Sequence, residues 1–377
     1  MTESLTEVFL ALVRSGLFCQ EVPEKALHLT AGEWQAIHEE SVRQTVTAIV
    51  YSAMEMLPDD ASLPDDGLLL RWTAEVDKIE RQGMVMDRAV AGLMSFFKGH
   101  GLHPVLMKGQ AAALLYPVPH RRECGDIDLY FNVPGEWDRA RTLLADREIR
   151  WNVKPDGSLC YQWDGVEVEH HRKLFDLCSP FTKRRMKEAE KEYGFRAVEI
   201  CGAPVTVPSP ELDLLLMSSH IMKHAFGNGV GLRQICDIAL LCHAGGADSV
   251  RVRDLFASAG LLRWNGMLFS FLSGHLGLDM DSLPYLPGRM PDSSALLDLV
   301  LEGGNFGHYS SKGGNNGSFK FFCVLLKKLR TLGRHLKRMN FSFSLAPSEA
   351  FCRDGREDAA ELQHRPRDPH PDCGGQS

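Results

Sequence analysis

Apolar residues recur at three- and four-residue spacings from Trp34 to Leu57, behind a capping-box pattern, Thr30-Ala31-Gly32-Glu33. A Pro/Asp/Ser-rich break, Pro58 to Gly67, separates this helical run from a longer amphipathic one, Leu68 to His100, stopped by Gly101. From position 104 the period changes. Pro104-Val105-Leu106-Met107 reads as a short apolar strand, Lys108-Gly109-Gln110 as a turn, and Ala111 to Tyr116 as one or two helical turns. Asp126-Ile127-Asp128-Leu129-Tyr130-Phe131 is a strand by alternation and β-propensity, and Glu136 to Asp146 is helical.

The clearest hairpin signal is Ser158 to Trp163, then Asp164-Gly165, then Val166 to His171. An Asp-Gly pair tolerates the positive φ angles of a two-residue type I′ turn. A further strand pair is expected at 194–207. After Ser209-Pro210-Glu211 the helical period returns, through Leu212 to Phe226 and Leu232 to His243, to about residue 276. Gly303 to Gly317 reads as a loop, Phe319 to Met339 as a basic helix, and the segment from Ser348 as a disordered tail. The expected organisation is a helical region over 1–100, an α/β core over 101–208, a helical domain over 209–342 and a tail over 343–377.

Composition adds exclusions. The 377 residues are 44% hydrophobic and 24% charged, which rules out wholesale disorder. A formal net charge of -7 argues against a surface that binds a polyanion all over. No apolar window reaches the ~20 residues of a membrane span, and the N-terminus lacks the basic start of a secretory signal. The expected location is the cytoplasm. The ten cysteines show no zinc-knuckle spacing, so they read as structural thiols.

Chemistry concentrates in the centre. On a strand, Asp126 and Asp128 share one face, while Ile127 and Leu129 face the other way. Two adjacent acids repel, so a fold keeps them together mainly where a cation sits between them; the alternative is a solvated edge strand. In the hairpin, Glu167, Glu169 and His171 share one face and Val166, Val168 and His170 the other. A third carboxylate beside the first two would suit in-line phosphoryl or nucleotidyl transfer through divalent ions; the alternative is one charged, solvated face. Parity does not choose between Glu167 and Glu169. Lys108-Gly109-Gln110, between a strand and a helix, suits phosphate contact, and a rigid loop carries Arg121 and Arg122.

These motifs resemble a known family. Leu106-Met107-Lys108-Gly109-Gln110, Tyr116-Pro117, Arg122-Glu123-Cys124-Gly125-Asp126-Ile127-Asp128-Leu129 and Val166-Glu167-Val168-Glu169-His170-His171-Arg172 are similar to the bacterial uncharacterised nucleotidyltransferase family. So are His220-Ile221-Met222-Lys223-His224 and Gly229 to Asp237. The family belongs to the superfamily typified by DNA polymerase beta, and the resemblance spans roughly residues 30 to 275. It implies an α+β fold, a small mixed-sheet nucleotidyltransferase core with helices against one face, flanked by N- and C-terminal helical domains. It also implies transfer of a nucleoside monophosphate from an NTP to an acceptor hydroxyl, with pyrophosphate released. ATP is the expected donor and Mg2+ the expected ion, with Mn2+ as substitute. Asp126, Asp128 and Glu169 carry over as the metal-holding acids, Glu169 because the family's third acid sits two residues before a His, here His171. Lys108, Gly109, Gln110, Arg122 and Gly125 carry over to the nucleotide.

His171, His220, His224 and Arg233 are candidates for the acceptor side. His220 and His224, at i and i+4, otherwise read as packing. Arg233 and Asp237 have the spacing of an intrahelical ion pair, unless the preceding Gly-rich loop presents Arg233 to the cleft. The basic helix at 320–338 is the one segment suited to RNA or an anionic membrane; the net negative charge favours a small-molecule or protein acceptor over nucleic acid. A non-catalytic nucleotide- or partner-binding protein of the same fold is the alternative.

Overall fold

The computed structural model describes residues 1–175, 180–226 and 229–304. The expected loop after Gly304, the basic helix, the tail, and the cysteines at 178, 323, 352 and 373 lie outside the described residues. In chain order the elements are α1 (Glu3–Phe18), α2 (Ala31–Arg43), α3 (Thr47–Met54), α4 (Asp66–Gly99), β1 (Pro104–Met107), α5 (Gly109–Ala113), β2 (Asp126–Phe131), α6 (Glu136–Asp146) and β3 (Trp151–Val153). Then follow β4 (Leu159–Trp163), β5 (Val166–His171), α7 (Pro180–Tyr193), β6 (Phe195–Ile200), β7 (Ala203–Pro208), α8 (Pro210–Phe226), α9 (Leu232–Ala244), α10 (Ser249–Ser258), α11 (Leu262–His275) and α12 (Ser294–Gly303).

Thr30 and Glu33 form the expected capping box at the start of α2. The run from Trp34 to Leu57 is nevertheless two helices, broken where Thr45 takes a φ of 53°. Tertiary contacts explain the break. The buried Gln44 side chain accepts from the Leu232 N–H at 3.0 Å and donates to the Val300 carbonyl at 2.9 Å, so the joint ties α2 to α9 and α12. One apolar core accordingly takes in Phe9, Trp34 and Trp72 together with Leu215, Phe256 and Phe269. Within it α1 crosses α3 at Gly16, where an added Cβ would collide with the Ile49 backbone carbonyl. Gly16→Ala is expected to destabilise the protein by about 1 to 3 kcal/mol through overpacking, read as a lower denaturant midpoint. An unchanged midpoint would mean that the two helices separate freely.

The seven described strands form one mixed sheet, as expected, in the order β3-β4-β5-β2-β1-β7-β6. β2 pairs parallel with β5 and antiparallel with β1, and β1 pairs parallel with β7. Both tight hairpins turn on two consecutive residues of positive φ, Asp164 and Gly165 in one and Cys201 and Gly202 in the other, as a type I′ turn requires. Alternation divides the sheet cleanly. Leu106, Ile127, Leu129, Val166 and Val168 are buried against α4 and α6, with His170 fully buried among them. The Tyr161 hydroxyl lies 2.7 Å from His170 Nε2, and burial first, then the neighbouring His171, lowers the pKa of that imidazole to about 3.

On the opposite face, Val105, Met107 and Tyr130 meet Leu174, Phe175, Met186 and α8. The Tyr130 hydroxyl donates to Glu190 of α7 at 2.7 Å. Helices therefore cover parts of both faces, which corrects the expectation of one. The reason is α7, whose 14 residues are so rich in charge that no apolar period announces it. No described helix is long and apolar enough to cross a membrane, and the six described cysteines are free thiols.

Candidate active site

The candidate site occupies the centre of the sheet, on the face away from α4 and α6. Parallel pairing of β2 with β5 sets Asp126 beside Glu167, Asp128 beside Glu169 and Tyr130 beside His171. Asp128 and Glu169 are buried, whereas the Glu167 side chain is 41% exposed. In this register Glu169 is the acid next to Asp128 and Glu167 the acid next to Asp126. The His171 ring reaches diagonally between them, its Nε2 2.5 Å from Asp128 Oδ1 and 3.7 Å from Glu169 Oε2. One donor atom from each of Asp128, Glu169 and His171 lies within 4.8 Å of the others. Asp126, one step back along β2, is outside that trio.

Lysines balance the acids. Lys108 follows β1 in a backbone conformation rare for a side-chain-bearing residue, φ 52° and ψ -140°, and Gly109 follows at φ 44°. This sharp turn delivers the Lys108 ammonium to 3.1 Å from Asp128 Oδ2. A Cβ on Gly109 would press on Cys124 Sγ at 3.4 Å, so the turn packs against the segment leading into β2. Lys154, on the β3–β4 connection, pairs with both Glu167 and Glu169. No motif marks Lys154 in the sequence, because its role depends on the β4–β5 hairpin folding back beside it.

The two aspartates differ in how readily they ionise. Burial, then the Asp128 charge, raises the Asp126 carboxyl to about 6. Burial would raise Asp128 too, but Lys108 and the His171 hydrogen bond outweigh it and hold Asp128 well below the usual carboxylate range. His171 is buried against protonation, yet its hydrogen bond to Asp128 raises its pKa above the ordinary imidazole value.

The other candidates spread out. His220, from α8, borders the same cleft as Lys108, His171, Lys173 and Ser219. Burial, then Lys108 and His224, pushes the His220 imidazole well below its ordinary pKa. The His224 ring packs edge-on against His220 with centroids 4.4 Å apart. The cleft offers about 20 Å3, room for roughly one water or ion. Gln110 turns its buried side chain away, donating to Asp87 of α4 at 2.5 Å. Gly125 has open space beside its Cα.

Arg122 has its partners in the interior. Its guanidinium is buried and bidentate on Asp237, with Nε–Oδ1 2.7 Å and Nη2–Oδ2 2.8 Å. The Tyr116 hydroxyl donates to the same carboxylate at 2.7 Å. Arg122 therefore anchors the loop before β2, because this loop packs onto α9. The expected Arg233–Asp237 pair is replaced as well: Arg233 donates to the Glu123 carbonyl at 2.5 Å, and its charge bears on Asp126.

Among solved structures, an antigenic nucleotidyltransferase-like protein from Paracoccidioides brasiliensis is similar at 17% identity and a TM-score of 0.33, over 51% of this chain and 92% of that one. No curated protein matches. The uncharacterised nucleotidyltransferase family matches residues 30–273, and nucleotidyl transfer is the general activity that this match and the mixed α/β fold support. By that match the chain belongs to the uncharacterised nucleotidyltransferase family.

Proposed function

We propose that the protein transfers a nucleoside monophosphate from an NTP, ATP by expectation, to the hydroxyl of a small-molecule or protein acceptor, releasing pyrophosphate. The observation that carries this reading is the Asp128–Glu169 register across two central parallel strands, with Asp126 on the same face and Lys108 at the edge. The donor set fits a hard divalent ion such as Mg2+: carboxylates from adjacent strands, buried and already facing cations. Asp126 and Asp128 would hold it and Glu169 would complete the site. When bound, the ion neutralises triphosphate charge and lowers the pKa of the attacking hydroxyl.

The chain's own groups do the rest. Lys108 carries a positive charge to the cleft, suited to phosphate oxygens, and Gly109 lets the turn come close to them. Glu169, paired with Lys154, would accept the proton of the acceptor hydroxyl. His220, which burial keeps neutral, and Arg233 are assigned to the acceptor side.

The direct test incubates the protein with each labelled NTP, Mg2+ and a cell extract, and asks which macromolecule or metabolite becomes labelled. Label transfer that persists in the Asp126→Asn/Asp128→Asn double variant would refute the reading. Within the hairpin, Glu169→Gln is expected to slow transfer at least tenfold more than Glu167→Gln, since only Glu169 is buried beside Asp128. A greater loss in Glu167→Gln than in Glu169→Gln would remove Glu169 from the site.

A further inference from the structure

We infer that His171 is a direct ligand of the divalent ion, and that its nitrogen shifts the site's preference from Mg2+ toward Mn2+. The inference rests on the divalent-ion reading above and names a donor that carboxylate counting leaves out.

The geometry is local and specific. His171 is two residues beyond Glu169 on β5, so alternation keeps both on the site face. Its ring does not stand over its own register partner, Tyr130; it leans to Asp128, with Nε2 2.5 Å from Oδ1. Ligands at right angles on an ion with bonds of ~2.1 Å lie ~3 Å apart, and opposed ligands ~4.2 Å apart. The trio's separations, 2.5 Å and 3.7 Å from the imidazole nitrogen and none above 4.8 Å, bracket those values. Movements of about an ångström or less would close the three atoms around one ion. The cleft bordered by Lys108 and His220 opens directly beside the ring, giving water or a ligand oxygen access to the remaining positions.

Donor chemistry sets the metal preference. Mg2+ takes oxygen ligands and parts with water reluctantly. Imidazole suits first-row transition ions, and Mn2+ is the one among them that also favours carboxylate and water. Adding one imidazole to the carboxylates therefore gains more with Mn2+ than with Mg2+. The competing role for His171 is that of a protonated partner of Asp128, which leaves the ion an all-oxygen shell.

Electron spin echo measurements on Mn2+ bound to the full-length protein separate the two. The expected spectrum of the unaltered protein carries the 14N modulation of a coordinated imidazole. That modulation is lost in His171→Gln and kept in His220→Gln. His171→Gln also lowers the ratio of Mn2+ to Mg2+ affinity at least tenfold. Labelling the unaltered protein with 15N-histidine converts the 14N pattern to that of 15N, which reads the ligand even if His171→Gln does not fold. Bound Mn2+ without nitrogen modulation overturns the inference and leaves the divalent-ion reading standing. A modulation that follows His220 overturns the assignment to His171. Failure to bind Mn2+, or binding unaffected by Asp128→Asn, overturns both.

Discussion

Under the proposed activity, Asp128→Asn and Asp126→Asn are each expected to reduce nucleotidyl transfer about a thousandfold or more, ~4 kcal/mol of transition-state stabilisation, as for loss of an acid proposed to hold the ion. Their effects on stability have opposite signs. Asp128 is buried but held ionised by Lys108 and His171, so its folded pKa lies below its unfolded one. Such a group stabilises the fold above its unfolded pKa, and that contribution disappears as pH falls through the folded value. Asp128→Asn thus unfolds more easily than the unaltered protein at pH 7 and leaves Lys108 without its carboxylate.

Asp126 is the converse. Its carboxyl is raised to about 6 by burial and the Asp128 charge, so ionisation penalises the fold fully above pH 6 and not at all below its unfolded pKa near 3.8. Asp126→Asn in the metal-free protein melts higher than the unaltered chain at pH 8 and equally at pH 4. Mutual repulsion alone, the view available from the strand pattern, makes both substitutions stabilising; the lysine and histidine around Asp128 reverse one of them. Thermal melts of both variants at the two pH values decide the matter. Stabilisation by Asp128→Asn at pH 7 would show that Lys108 does not neutralise it.

The second large effect belongs to Asp237. Arg122 and Tyr116 both depend on its carboxylate in the interior, and burial with Asp237 beside it pushes the Tyr116 hydroxyl pKa well above normal. Removing one partner of a buried pair strands the other charge, a loss of about 3 to 5 kcal/mol. Asp237→Ala is expected to unfold at a correspondingly lower denaturant concentration. The double variant Arg122→Met/Asp237→Leu, which leaves no buried charge, recovers most of that stability. Its transfer rate stays low, because the loop leading into Asp126 loses its anchor. A single-variant loss below about 1 kcal/mol would contradict the buried pairing. Recovery of both stability and rate in the double variant would show that the anchor matters for folding alone.

Local chemistry in the sequence determined the elements around the site. Alternation in Asp126 to Phe131 and Val166 to His171 assigned each residue to its face, since successive strand side chains must point oppositely. Asp164-Gly165 specified the tight turn because few other pairs accept two positive φ angles, and Thr30 with Glu33 specified a helix start. What depends on strand order is not written in any local pattern. Glu169 rather than Glu167 stands by Asp128 only because β5 pairs parallel with β2 in that register. Arg122 and Arg233 look alike as basic residues near a glycine-rich motif, yet one is buried on Asp237 and the other turns to Glu123. Gln44 breaks a helix whose own periodicity would continue it, because its amide satisfies backbone groups nearly two hundred residues or more away. Side-chain partners of this kind are chosen by tertiary packing, where desolvation makes an unpaired polar group costly, and by nothing within a few residues along the chain.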